Sequence, residues 1–253
     1  MMKQKCLIVN ADDLGLCAEV NEGILDLVRE GAVTAVSLFV TPSFQVDLRP
    51  FLETNVSIAL HFNLTFGKPC TKAATISSLA DASGNFINDI PRLIAEFDEK
   101  QVEKEFRAQL KQFQKLTGRN PSQLNTHKHI HAQDETLCAM LVEMGKELGV
   151  PVRAINSKMR NLCRLCGVYT TENFIGEVVP APYWTIERLS ELLKEALEGR
   201  TELMCHPGKN MKKDIKTSYL FERETEWRTL MSPETKKLLK DFCLCNFEQA
   251  FRR

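Results

Sequence analysis

Residues 6–15, CLIVNADDLG, run from four apolar side chains into two adjacent acids, Asp12 and Asp13. A short apolar run of this kind is typical of a buried strand, and the acids then fall at its carboxyl end. Neighbouring side chains of an extended strand point to opposite sides, so at a bend one carboxylate can bind a metal while the other faces a substrate. The alternative is that the two acids cap the following helix.

The rest of the chain alternates between strand and helix patterns, which favours one α/β domain over residues 1–253. Strands are expected at residues 35–40, 56–60, 124–126, 150–155, 175–179 and 202–205. Helices are expected at residues 18–30, 91–116, 135–148 and 186–197, followed by two more helical segments. Residues 62–89 and 157–174 show neither period, and we predict that they are loops that shape a pocket.

Composition narrows the classes of partner and compartment. The chain has 33 basic and 33 acidic residues, so no overall positive charge attracts nucleic acid. The first apolar run is too short for a signal peptide, and no segment is apolar enough to span a membrane. Nine cysteines without the spacing of a disulfide scaffold are expected to be reduced thiols, which favours a cytoplasmic location. The sequence leaves open whether the protein is a monomer or a homodimer.

Six reactive side chains lie on or directly after predicted strands. They are Asp12, Asp13, His61, His127, Arg153 and His206. In a parallel α/β fold the carboxyl ends of the strands share one face, where active sites are built. A lone histidine is more often structural, but this shared placement favours a functional site.

Asp13, His61 and His127 together offer one carboxylate oxygen and two imidazole nitrogens, with positions left for water. This donor set is typical of a catalytic metal site. It suits zinc and related transition metals better than magnesium, but the sequence does not decide between Zn²⁺ and Mg²⁺. His129 and His131 alternate with His127 and are left as supporting or substrate-contacting residues, and we predict that Lys128 faces away.

Four motifs resemble those of the YdjC-like carbohydrate deacetylases, which include chitooligosaccharide deacetylases and are related to NodB-type polysaccharide deacetylases. The motifs are IVNADDLG at 8–15, HFNLT at 61–65 followed by GKP at 67–69, THKHIH at 126–131 and CHPG at 205–208. The resemblance implies a single-domain irregular β/α (TIM-like) barrel of the polysaccharide deacetylase type. It also implies one divalent metal ion and hydrolysis of N-acetyl groups on an amino sugar or chitooligosaccharide, such as diacetylchitobiose.

The resemblance further assigns roles to individual residues. It implies that Asp13, His61 and His127 bind the metal, that Asp12 is the general base and that His206 is the general acid. The chain departs from the family pattern at three positions, namely Leu14 in place of phenylalanine, Asn125 in place of aspartate, and Lys128. The Asn125 change bears on the orientation of His127. Arg153 either orients Asp12 or forms a structural ion pair.

Aromatic and cysteine side chains supply further candidates. Tyr169, Phe174, Tyr183 and Trp184 can stack on sugar rings, although packing in the core is the favoured interpretation. Cys163, Cys166, Cys243 and Cys245 can in principle form a four-thiolate zinc site, but the spacing favours ordinary thiols.

Two rival functions are compatible with the motifs. A metal-dependent phosphoesterase also uses histidine pairs, such as His127 and His129, but normally needs more carboxylates around two metals. A non-catalytic sugar-binding protein on the same scaffold need not keep a base, an acid and three metal ligands. The complete set therefore favours an enzyme.

Overall fold

The core of the protein is a curled parallel β-sheet, seen in a computed structural model that describes residues 5–43, 45–176, 183–194 and 198–252. The sheet runs in the order β4-β3-β2-β1-β6-β5, and β7 pairs with β1. Its strands are β1 (Lys5–Leu14), β2 (Ala35–Leu38), β3 (Ser57–Phe62), β4 (Leu124–Thr126), β5 (Asn173–Ile175), β6 (Gly199–Cys205) and β7 (Cys243–Leu244). Every pairing between these strands is parallel. This curled sheet confirms the predicted β/α barrel-type fold.

Strand β1 lies at the centre of the sheet and is buried along almost its whole length. It pairs with β6 from Lys5 to Ala11, with β2 between Asn10 and Leu14, and with β7 at Cys6 and Leu7. A strand covered on both faces reads as a continuous apolar run, which is why the opening stretch of sequence identifies it. The carboxyl end of β1 is therefore in the middle of the face where the other strands end.

Helices cover the outside of the sheet. They are α1 (Ala18–Arg29), α2 (Arg49–Leu52), α3 (Ile90–Glu96), α4 (Glu99–Thr117), α5 (Glu135–Leu148), α6 (Ser157–Cys166), α7 (Ile186–Lys194), α8 (Glu222–Met231), α9 (Pro233–Leu239) and α10 (Phe247–Ala250). Among the described residues, no helix is long and apolar enough to cross a membrane.

Two helical regions differ from the sequence-based expectation. The segment 91–116 is not one helix, because Phe97 is extended and the Asp98 side chain caps a new helix by accepting from the Gln101 N–H. The segment 157–174 is not a loop throughout, since α6 occupies its first part and is capped by Asn156. Two short elements, β7 and α10, follow the two predicted C-terminal helices.

The predicted strand at 150–155 is reduced to a single bridge between Val152 and Leu124. The strand predicted at 175–179 corresponds to β5 at Asn173–Ile175, and residues 177–179 are outside the described part of the chain. Residues 195–197, the end of a predicted helix, are also outside it. The other predicted elements are found with their ends unchanged or slightly shifted.

Helix α1 packs closely against the chain that follows β6. A Cβ on Gly23 would lie 2.9 Å from the Gly208 backbone, so we expect Gly23→Ala to displace this loop. The clash should outweigh the better helix propensity of Ala and lower the free energy of unfolding by about 1–2 kcal/mol. Urea denaturation measures this change in the free energy of unfolding. The control is Glu22→Ala, a substitution at an exposed position that should cost less than about 0.5 kcal/mol. An unchanged stability of Gly23→Ala would contradict this packing.

Candidate active site

A β-bulge in β1 places Asp12 and Asp13 at the site. The step from Ala11 to Leu14 on β1 is matched by the shorter step from Val36 to Leu38 on β2. Asp13 sits in the bulge with a φ of 67°, a left-handed conformation that aspartate tolerates better than most residues. Both acids line one pocket. Helix α1 begins later, with Cys17 as its N-cap, so the alternative that the two acids cap this helix is wrong.

Asp13, His61 and His127 form the candidate metal site. Asp13 Oδ1 lies 3.3 Å from both His61 Nε2 and His127 Nδ1. Within the described residues they are the one group of at least three His, Cys, Asp or Glu whose ligand atoms approach this closely, within 4.8 Å of one another. Asp13 Oδ1 is buried and has no hydrogen-bond partner there. A buried oxygen without a partner is costly, and it fits an atom reserved for a cation.

Asn125 orients His61. Its Oδ1 lies 2.5 Å from His61 Nδ1, while its Nδ2 donates to Ser37 Oγ and Gln123 Oε1 at 2.8 Å each. These two acceptors fix the amide, so Nδ1 of His61 carries the proton and donates to Asn125 Oδ1, which would leave Nε2 available to a metal. The expectation that Asn125 bears on His127 is therefore wrong, since its side chain contacts His61 instead.

Arg223 holds the other oxygen of Asp13. Its Nη2 donates to Asp13 Oδ2 at 2.6 Å, and both side chains are buried. Burial alone would raise the pKa of Asp13, but Arg223 and the two histidines outweigh it and hold that pKa well below its usual range. Asp13 is thus ionised, and its Oδ1 has no hydrogen-bond partner in the described chain. Arg223 lies on α8, away from any strand end, so the sequence pattern did not identify it.

Arg153 clamps Asp12 from the opposite side. It donates from Nη1 to Asp12 Oδ2 at 2.6 Å and from Nη2 to Oδ1 at 2.8 Å, and its Nε donates to Glu202 at 2.8 Å. Asn10 Nδ2 also donates to Asp12 Oδ1. Although burial opposes it, Arg153 keeps the pKa of Asp12 below its usual value. Arg153 therefore makes the contact that orienting Asp12 requires, and it forms a buried ion pair with Glu202 as well.

His206 follows β6 and lines the same pocket. Its main-chain N–H donates to Glu226 Oε2 at 2.5 Å. Its ring Nδ1 is buried without a hydrogen-bond partner in the described chain. Burial outweighs the nearby carboxylates of Asp13 and Asp12 and lowers the pKa of His206 to about 4. The imidazole is therefore neutral near pH 7.

The THKHIH segment does not stay extended. It turns into a 3₁₀ segment, His127–Ala132, in which Lys128 and His129 have φ values of 55° and 49°. His131 points into the core, where its Nδ1 meets Thr126 and its Nε2 meets the Arg153 carbonyl. His129 lines the pocket. Lys128 also lines it while donating to Asn88, so the prediction that Lys128 faces away is wrong.

The pocket above these groups has a volume of about 740 Å³. Of the four aromatic candidates only Tyr183 lines it, stacked on Tyr219 with ring centroids 4.4 Å apart. Trp184 is fully buried and donates to the Met204 carbonyl. Tyr169 packs against Phe251, and Phe174 packs behind His129. Segment 62–89 contributes Phe66 and Asn88 to the pocket, whereas 157–174 contributes no lining residue, contrary to expectation.

The cysteines do not form a four-thiolate site. Cys163 and Cys166 lie on α6, whereas Cys243 pairs with Cys6 on the central strand. All nine cysteines are free thiols. Burial raises the pKa of the Cys163 and Cys245 thiols to about 12, so both are protonated and unreactive.

Comparison with known proteins defines the class. The sequence profile of the YdjC-like protein family matches residues 6–241. The chain is 29% identical to a carbohydrate deacetylase of Clostridium beijerinckii, over 96% of this chain and 98% of the relative. It is 28% identical to a chitooligosaccharide deacetylase of Yersinia pestis, over 92% and 93% of the two chains.

A solved structure is similar over the same length. It is a protein from Enterococcus faecalis V583 proposed to cleave cellobiose phosphate, with a TM-score of 0.85, 25% identity, and coverage of 97% of this chain and 98% of that one. Fold and site thus define a protein with a candidate metal site at the edge of a curled parallel sheet. The chain belongs to the YdjC-like protein family.

Mutations should distinguish the candidate metal ligands from the neighbouring acid, Asp12, by their effect on metal binding. We expect Asp13→Ala to abolish tight binding of a divalent ion, because the bridging carboxylate between the two histidines is lost. Asp12→Asn is the matched control and should keep the ion, since Asp12 is held by Arg153. Isothermal titration with Zn²⁺ measures both variants. Equal metal affinity of Asp13→Ala and wild type would remove this assignment.

Buried neutral histidines should make the metal-free protein acid-sensitive. Burial lowers the pKa of His131 to about 3, against about 6.5 in an unfolded chain. Between these values the unfolded chain binds the extra proton, so stability is full above about pH 6.5 and falls as pH falls. We expect His131→Gln to reduce the slope of unfolding free energy against pH by about 1.4 kcal/mol per pH unit. Urea denaturation between about pH 6 and 4.5 measures it, and an unchanged slope would contradict it.

Proposed function

We propose that the protein is a metal-dependent hydrolase that removes N-acetyl groups from an acetylated amino sugar or chitooligosaccharide, such as diacetylchitobiose, and releases acetate. The observation that carries the proposal is that the metal site, Asp12 and His206 all face one pocket. The deacetylase names of the Clostridium and Yersinia relatives support it. The nine free cysteines support a cytoplasmic site of action.

Asp13, His61 and His127 would hold the divalent ion. Such an ion polarises an amide carbonyl and lowers the pKa of a bound water from about 15.7 toward 7. The oxygen and nitrogen donors favour zinc or a related transition metal over magnesium. Arg223 keeps Asp13 ionised and donates to its Oδ2, which would leave Oδ1 to bind the ion.

Asp12 would accept the proton of the attacking water. Its carboxylate stays ionised because Arg153 and Asn10 donate to it. These donors also make it a weak base, so it needs a water that is already acidified. The clamp by Arg153 fixes the carboxylate's position, which favours transfer over a short distance.

His206 would give a proton to the departing amine, which is a poor leaving group unless it is protonated. Because the imidazole is neutral in the free protein, it must gain a proton before it can donate one. His206 would take that proton from solvent, and Asp12 would return the proton of the attacking water to solvent, so protons balance over each turnover. The products are acetate and a free amino sugar.

The stacked rings of Tyr183 and Tyr219 line the pocket beside His206. Flat aromatic faces bind the apolar faces of sugar rings, which supports a carbohydrate substrate. Lys128 and Lys216 also line the pocket, so a sugar that carries a phosphate belongs in the substrate panel. The phosphoesterase alternative loses its main support, because His129 is not part of the metal-ligand group in the described chain.

Acetate release from N,N′-diacetylchitobiose tests the proposal. We expect release by protein reloaded with a divalent metal, and none by metal-stripped protein. Asp12→Asn should lower kcat by about 10²–10⁴-fold, the usual contribution of a general base. An enzyme-coupled acetate assay measures this, with phosphate release from a phosphorylated disaccharide followed in parallel. Phosphate release without acetate release from any acetylated sugar would contradict the proposal and favour the phosphoesterase.

A further inference from the structure

Glu226 is a fully buried acid that the proposed chemistry does not use. It lies on α8 with 0% exposure, and both of its oxygens accept hydrogen bonds. Oε2 accepts from the His206 main-chain N–H, and Oε1 accepts from the Tyr219 hydroxyl, each at 2.5 Å. Both donors are neutral, and burial raises the pKa of Glu226 to about 7. Burying a carboxyl group that accepts only from neutral donors costs free energy, which indicates that Glu226 has a specific role at this position.

Tyr219 extends the contacts of Glu226 to a second part of the pocket wall. Its hydroxyl oxygen accepts from the Tyr183 main-chain N–H at 2.7 Å. The rings of Tyr183 and Tyr219 both meet the His206 ring edge-on, with centroids 5.4 and 5.8 Å from it. One buried acid therefore ties together the two aromatic residues and the histidine.

Helix α8 connects this cluster to the metal site. Arg223 lies one turn before Glu226 on the same buried side of the helix and donates to Asp13. The Arg223 carbonyl also accepts from the Gly208 N–H, just after His206. A single rigid helix thus fixes Asp13 and the His206 backbone relative to each other.

We propose that Glu226 is a positioning residue that fixes His206 through its main-chain N–H. This inference rests on the proposed function, in which His206 protonates the leaving amine. The carboxyl does not act on the imidazole directly, because His206 Nδ1 has no hydrogen-bond partner among the described residues. Glu226 therefore sets where the imidazole is, and hydrogen-bond acceptance rather than charge is what it contributes.

Two substitutions separate these contributions. Glu226→Leu removes both acceptors and should lower kcat on diacetylchitobiose by about 10- to 100-fold, the effect of a small misplacement of a reacting group. Glu226→Gln should stay within about threefold of wild type, because its Oε1 still accepts from His206 and its Nε2 can donate to the Tyr219 oxygen. The Zn²⁺ affinity should be unchanged in both. A kcat of Glu226→Leu equal to that of wild type would overturn the proposal.

A double-mutant cycle tests whether Glu226 acts through His206. In a His206→Asn background, Glu226→Leu should cause no further loss of kcat, whereas multiplied losses would mean that it acts by another route. Tyr219→Phe keeps the aromatic ring but frees one oxygen of Glu226, and its loss of kcat should likewise vanish in that background. If Glu226→Leu does not fold, Tyr219→Phe replaces it in the double-mutant cycle with His206→Asn.

Glu105 offers a matched control. It is also fully buried and accepts main-chain N–H groups, those of Cys70 and Thr71 at 2.9 Å, away from His206. Glu105→Leu should lower the free energy of unfolding but leave kcat unchanged. An equal loss of kcat in Glu105→Leu and Glu226→Leu would mean that Glu226 has only a general structural role.

Hydrogen exchange at the His206 amide gives a readout that does not need activity. Exchange should be faster by about tenfold or more in Glu226→Leu and unchanged in Glu226→Gln, because only the first loses the acceptor. Unchanged exchange in Glu226→Leu would overturn the proposal. Wild-type protein without activity on any acetylated sugar would instead overturn the proposed function, while the exchange result would still stand.

Discussion

The site depends on placing two consecutive carboxylates, Asp12 and Asp13, in the buried centre of the sheet. Each buried negative charge must be paired, because leaving one unpaired costs several kcal/mol. Arg153 pairs with Asp12, and Arg223 pairs with Asp13. The bulge in β1 lets the two side chains reach different partners. The two ion pairs give the acids different roles in the proposed function. One oxygen of Asp13 would be left for a metal, and Asp12 is held as a fixed carboxylate.

The two halves of the site share one buried network of hydrogen bonds. Arg153 bonds to Glu202, Glu202 to Gln123, and Gln123 to the Asn125 that orients His61. Ser37 closes the network by accepting from both Asn10 and Asn125. Asp12, the candidate base, and His61, a candidate metal ligand, are therefore positioned by the same set of interior polar groups. Buried polar groups need hydrogen-bond partners, which explains why polar residues occur together in this part of the barrel interior, although Asn10 Oδ1 has no partner among the described residues.

Sequence could predict the parts of the site that sit at strand ends. The apolar run before Asp12 and the histidines at the carboxyl ends of β3, β4 and β6 follow from parallel-sheet topology. It could not find Arg223 and Glu226, because they lie on a helix whose polar residues look like a solvated surface until the fold buries them. Nor could it foresee the turn at Lys128 and His129, since both adopt left-handed φ values without a glycine to signal them.

We propose that Asp13, His61 and His127 jointly hold one divalent metal ion. Anomalous X-ray diffraction from crystals grown with a zinc salt would locate such an ion. We expect one strong anomalous peak bonded to Asp13 Oδ1, His61 Nε2 and His127 Nδ1, with Arg223 still on the other oxygen of Asp13. A peak bonded to a different set of residues, or no peak at this group, would show that these three residues do not form the metal site.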